Sequence, residues 1–292
     1  MTAETPGTVG GRDRLDVDGV RVRYRLAGDP AARPVVLLHG IARSLEDWDP
    51  MFDRLTAEHR VLSLDLPGFG LSERTGGAYS LRSLARFILN ALDTIGEDRP
   101  VHLMGNSLGG AIAMKISTIA PERVRTLVLA NSAGFGHEIP LGLRVLGLGP
   151  LGPWLLKFKT RKGAYRAERG LFHDPEFVTA ERVNHAMRVG RNPVHDDVLL
   201  SVAGHLGNFH GVHPHWRKHL LKDVAAQRKP TLLIWGGTDR ILPASNLEAA
   251  RRAFPHAQYH LFAECGHMPQ IEKEEEFDAL VREFLAGHDH GG

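Results

Sequence analysis

Three side chains that lie far apart in this sequence could together take a proton from a hydroxyl group. Ser107 lies in the sequence GNSLG (residues 105–109), directly after the apolar run Val101–Met104 and directly before a helical pattern. A G-x-S-x-G turn between a strand and a helix is a nucleophile elbow, which exposes the serine hydroxyl. A serine hydroxyl reacts poorly unless a base takes its proton and a third group holds that base. We therefore predict that Ser107 is a nucleophile and that a base and an acid accompany it.

Candidates for the base and the acid follow two later strands of the predicted sheet. Asp239 follows the apolar run Thr231–Trp235, and His267 follows the strand-like segment Ala257–Phe262. The chain order Ser, Asp, His is the order in folds that carry such an elbow. An earlier strand is a rival position for the acid, but Asn131 follows it and carries no charge. We therefore predict His267 as general base and Asp239 as the acid that orients it.

Acyl transfer also needs hydrogen-bond donors that face the developing oxyanion. The backbone N–H of Leu108 is one candidate, because it follows the nucleophile. The loop after an earlier strand should supply the second donor, and we choose the N–H of Ile41, because Gly40 allows the chain to turn there. Arg43 and Ser44 follow in this loop, and their side chains point either into the pocket or into solvent.

Strand and helix patterns alternate along most of the chain. Continuous apolar runs are typical of strands that are buried on both faces, and alternating runs on either side of Asp18-Gly19 predict a hairpin. The alternation predicts an α/β fold with a mostly parallel eight-stranded sheet, helices on both faces and an antiparallel edge. The predicted strands are 14–17, 20–26, 35–39, 60–64, 101–104, 126–130, 231–235 and 257–262. The predicted helices are 47–58, 81–95, 108–120, 244–254 and 270–285.

The alternation is interrupted once, between Asn131 and Lys229. Helical spacing there is broken by Gly and Pro, in segments 141–158, 175–189 and 194–209. An all-helical insertion between two buried strands predicts a lid over the carboxyl edge of the sheet. The predicted organisation is then a disordered segment 1–13, a core in two parts (14–131 and 230–286), a helical cap 132–229 and a tail 287–292.

Composition excludes several other classes of function. The formal net charge of +2 is too balanced for a nucleic-acid partner, and no apolar run reaches the ~20 residues of a membrane span. Cys265 is the single cysteine, and the first residues lack the pattern of a signal peptide, so we expect a cytoplasmic protein. The pairs His213/His215 and His288/His290 have the wrong surroundings for a metal site. We expect neither a metal nor a cofactor.

Several motifs together resemble the α/β-hydrolase superfamily, especially its serine esterases and lipases. They are His39-Gly40, DLPGFGLS at 65–72, GNSLGG at 105–110, WGGTDRILP at 235–243 and GHMPQIEK at 266–273. The resemblance covers residues 14–286, although the insertion carries no motif that matches firmly. It implies a catalytic triad, an oxyanion hole and a capped pocket. Asp65 in the second motif is expected to brace a turn.

The motif around Ser107 is also similar to that of carbon–carbon bond hydrolases of aromatic ring degradation. Those enzymes place an Asn before the nucleophile, as Asn106 does here, and use a lid Arg to bind an acidic dienoate, for which Arg182 is the candidate. Met268 stands where that family has Trp, and Ile41 begins a loop that lacks its glycines. We therefore favour hydrolysis of carboxylic esters through an acyl-enzyme, with carbon–carbon hydrolysis and other acyl chemistry as alternatives.

The expected substrate is a small or medium ester with an apolar acyl or aromatic group. Contacts with it are predicted for Gly40, Asn106, Phe135, Trp154, Phe158, Arg182, Phe209 and Met268. The aromatic residues of the insertion could equally pack against one another. A reading from another class, a non-catalytic ligand receptor on the same fold, differs from an enzyme in lacking repeated turnover.

Overall fold

The computed structural model describes residues 12–137, 144, 151–157, 159–208 and 211–289. Eight strands form one sheet in the order β1-β2-β4-β3-β5-β6-β9-β10, and only β1–β2 and β2–β4 are antiparallel pairs. The strands are β1 Asp13–Val17, β2 Val20–Ala27, β3 Pro34–Leu38, β4 Arg60–Leu64, β5 Val101–Asn106, β6 Val124–Ala130, β9 Thr231–Gly236 and β10 Gln258–Phe262. This confirms the predicted fold, including its antiparallel edge.

Local sequence explains why these segments become strands. Every residue of β3, β5 and β9 is buried, as expected for central parallel strands that are covered on both faces. In β1 the exposure alternates, and Asp18 and Gly19 connect it to β2 with φ angles of 53° and 79°. Two positive φ angles define the hairpin turn whose twist matches that of the strands.

Helices cover both faces of this sheet. Apolar residues of α2, α3 and α9 pack with one face, and those of α1 and α11 pack with the other. The helices outside the insertion are α1 Asp49–Leu55, α2 Leu81–Thr94, α3 Leu108–Ile119, α9 Ser245–Ala253, α10 Pro269–Glu272 and α11 Glu274–Asp289. The predicted helix 47–58 begins with a short 3-10 turn, and the predicted helix 270–285 is divided at Lys273.

The segment between β6 and β9 that corresponds to the predicted cap, which we call the insertion (residues 132–229), is mostly helical where it is described. Its helices are α4 Leu151–Leu156, α5 Arg161–Leu171, α6 Ala180–Gly190, α7 His195–Leu206 and α8 Pro214–Gln227. The sequence patterns missed α5 and α8. The insertion is also not all helical, because β7 Gly207–Asn208 and β8 Gly211–Val212 form a small antiparallel ribbon.

Both ends of the described chain contain more structure than the sequence predicts. Asp13 pairs with Tyr24 in the sheet, and Arg12 donates a hydrogen bond to Asp49, so the ordered chain begins before residue 14. The expected tail begins at residue 287, but α11 continues to Asp289, whose carboxylate lies 3.0 Å from His102. Within the described residues, no helix combines the length and the apolar character needed to cross a membrane.

Glycine allows α3 to pack directly on the sheet. A Cβ atom added to Gly109 would lie 2.0 Å from the carbonyl oxygen of Leu38 in β3, far inside van der Waals contact. In contrast, a Cβ atom added to Gly204 in α7 would meet nothing within 4 Å. The absence of a side chain at position 109 therefore allows the helix that follows Ser107 to approach the sheet closely.

This packing predicts opposite effects for two Gly→Ala substitutions. Gly109→Ala should lower the free energy of unfolding by at least about 2 kcal/mol, because the helix or the strand must move. Gly204→Ala, the matched control in a helix, should raise it by up to ~1 kcal/mol. Urea denaturation followed by circular dichroism measures both. Equal changes in the two variants would contradict the proposed close packing.

Candidate active site

Ser107 occupies the sharp turn between β5 and α3 and has a strained backbone, with φ 56° and ψ −117°. A Cβ atom added to Gly105 would lie 2.3 Å from the backbone of Gly109, so the turn requires glycine there. The Ser107 side chain does not cap the helix, although Ser is a common capping residue. Its hydroxyl is therefore not used to satisfy the helix terminus.

Asp239 and His267 form a buried pair. Nδ1 of His267 lies 2.7 Å from Oδ2 of Asp239. Because a carboxylate only accepts hydrogen bonds, Nδ1 carries the proton and Nε2 is the accepting nitrogen. The other carboxylate oxygen of Asp239 accepts from the backbone N–H groups of Ile241 and Leu242, at 2.7 and 3.0 Å. Both side chains are almost fully buried, at 4% exposure for His267 and 0% for Asp239.

Asn131 and Asn106 connect these loops to the central strands. Asn131 has a φ of 43°, donates to Oδ2 of Asp239 at 2.6 Å and accepts from the N–H of Gly236 at 3.3 Å. Asn106 donates to the carbonyl oxygen of His267 at 3.0 Å. The Oδ1 atom of Asn106 has no hydrogen-bond partner among the described residues. The residue that we considered only as a rival acid position is thus a donor to the acid.

A cavity of about 530 Å³ lies over this edge of the sheet. Ser107 and His267 both line it, which places the two groups of the predicted relay on one surface. The loop after β3 contributes Gly40, Ile41, Ala42 and Arg43, and the cavity wall also contains Asn106, Ile241 and Met268. As the first residue of α3, Leu108 has no acceptor for its N–H within the helix.

Four predicted contact residues are elsewhere or outside the described chain, and a fifth faces another groove. Phe135 is buried in the core against Trp235 and Phe254, not in the cavity. Trp154 is 53% exposed and absent from the cavity wall. Arg182 lines a different groove, and its guanidinium lies 5.5 Å from the centre of the Phe172 ring. The predictions for Phe158 and Phe209 concern residues outside the described ones.

Sequence reasoning missed the helix that provides much of the cavity wall. Gly163, Ala164, Ala167, Glu168 and Leu171 of α5 line the cavity, together with Ala186, Met187 and Gly190 of α6. A signal was available, because Thr160 is a helix-capping residue type that accepts from the N–H of Gly163, three residues later. The positions 163, 164, 167, 168 and 171 also recur with the spacing of one helical face.

Each cationic side chain in the described wall, Arg43 and Lys159, is paired with at least one carboxylate. Arg43 donates to Asp47 and to Glu168, and Lys159 lies 2.8 Å from Asp196. His195, which also lines the cavity, is buried, and this burial lowers the pKa of its imidazole. The described part of the wall therefore contains small and apolar side chains, and Arg43 and Lys159 in it are both paired with carboxylates.

The environment of Asp239 predicts a strong effect of removing its buried donor. Asn131→Ala should lower the free energy of unfolding by about 1–3 kcal/mol, because Asp239 loses a donor and the N–H of Gly236 loses its acceptor. Asn90→Ala is a matched control, since Asn90 donates to Asp18 over the same 2.6 Å but on the surface. We expect a change below about 0.5 kcal/mol there. Denaturation curves that show equal losses would refute the importance of the buried bond.

Comparison with known proteins gives a consistent family. Residues 33–274 match the sequence profile of the α/β hydrolase fold family. A curated relative from Cupriavidus necator, the dihydrolipoyllysine-residue acetyltransferase component of an acetoin cleaving system, is 31% identical over 274 residues, which are 93% of this chain and 68% of that protein. The 2-hydroxy-6-oxo-2,4-heptadienoate hydrolase of Pseudomonas putida is 30% identical, over 89% of this chain and 91% of that enzyme.

Solved structures have the same fold. A 2-hydroxy-6-oxo-6-phenylhexa-2,4-dienoate hydrolase from a Rhodococcus strain superimposes with a TM-score of 0.80 and 22% identity, over 95% of this chain and 99% of that one. A thermophilic esterase from Thermogutta terrifontis gives a TM-score of 0.76 and 21% identity, over 96% and 99%. At these identities the likeness concerns the fold alone, and it includes an esterase as well as a dienoate hydrolase.

Proposed function

Because the chain belongs to the α/β-hydrolase fold family, we propose that it is a serine hydrolase that cleaves small or medium carboxylic esters with apolar acyl or aromatic groups. The observation that carries this proposal is the buried His267–Asp239 pair on the cavity that Ser107 also lines. The combination provides a nucleophile, a base and an orienting acid at one surface.

The first half of the reaction transfers the acyl group to the enzyme. Ser107 Oγ attacks the ester carbonyl carbon while Nε2 of His267 takes the hydroxyl proton. The carbonyl oxygen becomes an oxyanion, which accepts hydrogen bonds from the N–H groups of Leu108 and Ile41. The intermediate collapses, the carbon–oxygen bond to the alcohol breaks, and His267 returns its proton to the departing alkoxide. An acyl ester on Ser107 and a free alcohol result.

The second half releases the acid. A water molecule loses a proton to Nε2 of His267 and attacks the acyl carbon, which forms a second oxyanion at the same two amides. Collapse breaks the bond to Ser107 Oγ, and the imidazolium returns the proton to the serine. Throughout both halves, Asp239 accepts a hydrogen bond from the Nδ1–H of His267. Its negative charge stabilises the positive charge that His267 carries in each half. The sum is ester plus water to acid plus alcohol.

The charge of the cavity wall supports a neutral substrate. Arg43 is shared between two carboxylates, and Lys159 is paired with Asp196. A substrate carboxylate would find no uncompensated cation in the described wall, and its burial without a partner would be costly. Arg182, the candidate partner for an acidic dienoate, lines another groove. These contacts favour an ester over an anionic substrate.

The proposed nucleophile is tested by Ser107→Ala. The kcat for p-nitrophenyl butyrate should fall by at least about 10³-fold, because the substitution removes the attacking hydroxyl. Ser117→Ala is the control, since Ser117 lies in the same helix, is buried and donates only to the carbonyl oxygen of Met114. Release of p-nitrophenolate measures both variants. An unchanged kcat in Ser107→Ala would remove Ser107 from the reaction.

The proposed preference for uncharged acyl groups is tested by a pair of esters with one leaving group. The kcat/KM for p-nitrophenyl butyrate should exceed that for the p-nitrophenyl monoester of succinic acid by about tenfold or more, since the succinyl carboxylate must be buried unpaired. Initial rates at several concentrations of each ester give the ratio. An equal or higher kcat/KM for the succinyl ester would show that a cation is available in the cavity.

Carbon–carbon bond hydrolysis of a dienoate is the second candidate function. Its support is the near full-length similarity to the Pseudomonas putida enzyme and the position of Asn106. A Cβ atom added to Gly40 would lie 3.3 Å from Ser107 Cβ and 3.5 Å from Asn106 Oδ1. The Oδ1 atom, which has no hydrogen-bond partner among the described residues, therefore lies close to the nucleophile. It could accept a hydrogen bond from a substrate hydroxyl. A higher kcat/KM for a 2-hydroxy-6-oxo-dienoate than for the butyrate ester would favour this function.

A further inference from the structure

Arg43 connects the loop that carries Ile41 with the insertion. Its Nε and Nη2 donate to the two carboxylate oxygens of Asp47 at 2.8 and 2.7 Å, which forms a bidentate pair within the loop and the turn that follows it. Its third nitrogen, Nη1, donates to Oε1 of Glu168 in α5. One guanidinium thus holds the loop and the insertion helix together.

The cluster is buried and charged. Asp47 and Glu168 are 2% and 1% exposed. Burial lowers the pKa of Arg43, but attraction to these two carboxylates raises the pKa by more than burial lowers it. The guanidinium therefore stays charged. The second carboxylate oxygen of Glu168 has no partner among the described residues. Buried ion pairs of this kind are often no more stabilising than apolar side chains of similar size, and their best-attested use is to fix the relative position of elements.

A second bond from the same loop reaches α6. The ring of His185 accepts at Nδ1 from Arg188, 2.8 Å away, so its Nε2 carries the proton. This Nε2 lies 2.7 Å from the hydroxyl of Ser44 and 3.3 Å from Glu46. The loop is therefore bound to α5 and to α6, which both line the cavity.

The loop lies next to the nucleophile, and α5 also contacts the loop of the base. A Cβ atom added to Gly40 would lie 3.3 Å from Ser107 Cβ and 3.5 Å from Arg43 Cγ, so the Arg43 side chain begins beside the elbow. At the end of α5, the carbonyl oxygen of Leu171 accepts from the backbone N–H of His267 at 2.6 Å. One helix of the insertion is thereby bonded to the loops on both sides of Ser107.

We propose that Arg43 and Glu168 form a latch between the insertion and the loop of residues 39–44, and that this latch sets the position of the Ile41 N–H relative to Ser107. Arg43 and Glu168 are positioning residues, and their effect on catalysis rests on the esterase function proposed above. Through the latch, the position of the Ile41 N–H depends on where α5 packs. Without the latch, the loop keeps its bonds to Asp47 and to His185 of α6 but is no longer held to α5.

The test compares Glu168→Ala, Glu168→Gln and the control Glu274→Ala. Glu274 accepts from Arg54 at 3.0 Å and joins α1 to α11, so the control removes a similar bond between elements far from the cavity. Glu168→Ala should lower kcat for p-nitrophenyl butyrate by about tenfold or more, since small displacements of catalytic donors are costly. The KM should stay within about twofold. Glu168→Gln keeps an oxygen acceptor for Nη1 and should recover part of the loss.

Two further readouts separate the latch from the proposed function. The rate of Ser107 phosphonylation by a fluorophosphonate needs no known substrate and should fall in parallel with kcat. Backbone hydrogen exchange in residues 39–44 should rise in Glu168→Ala and stay unchanged in Glu274→Ala, whether or not the wild-type protein hydrolyses esters. Absence of ester hydrolysis by the wild type would refute the proposed function only. Unchanged exchange in Glu168→Ala, or a KM increase with unchanged kcat, would overturn the latch.

Discussion

The backbone at Ser107 is the constraint on which the site depends. A positive φ at a residue with a side chain costs of order 1–3 kcal/mol and persists only where the surroundings determine it. Here the carbonyl oxygen of Ser107 accepts hydrogen bonds from Gly110, Ala111 and Ala133, and its N–H donates to Ala130. Because Gly109 has no side chain, the helix that follows Ser107 packs directly against β3. The strained turn therefore holds the hydroxyl at the edge of the sheet, and the other groups must be arranged around it.

The insertion acts on this site from both sides. It contributes the wall of the cavity, an ion pair to the loop of Ile41 and a backbone bond to the loop of His267. The acid is instead held by the core, through Asn131 and the backbone after β9. This division separates two tasks, since the core fixes the carboxylate of Asp239 while the insertion lines the cavity and contacts the loops of Ile41 and His267. A change in the insertion can then alter specificity without disturbing Asp239.

The sequence predicts the sheet and the sharp turn at Ser107 well, because apolar runs and the glycines of that turn have local physical causes. It predicts the cavity wall poorly. Large aromatic residues such as Phe135 attract attention, but burial in the core uses them just as readily. To this wall α5 contributes the small residues Gly163, Ala164 and Ala167, and polar neighbours hide the helical pattern of this segment. The hydrogen bond from Asn131 to Asp239 and the ion pair between Arg43 and Glu168 each join distant segments of the chain. Sequence spacing alone does not reveal such contacts.

In the proposed reaction, Ser107 attacks one carbonyl group, His267 takes the serine proton, and two backbone amides bind the resulting oxyanion. A crystal structure of the protein after reaction with a fluorophosphonate tests it most directly, because the adduct resembles the oxyanion intermediate. Phosphorus should be bonded to Ser107 Oγ, with its free oxygen about 3 Å from the nitrogens of Leu108 and Ile41. An adduct on another residue, or an oxygen directed away from both amides, would contradict it.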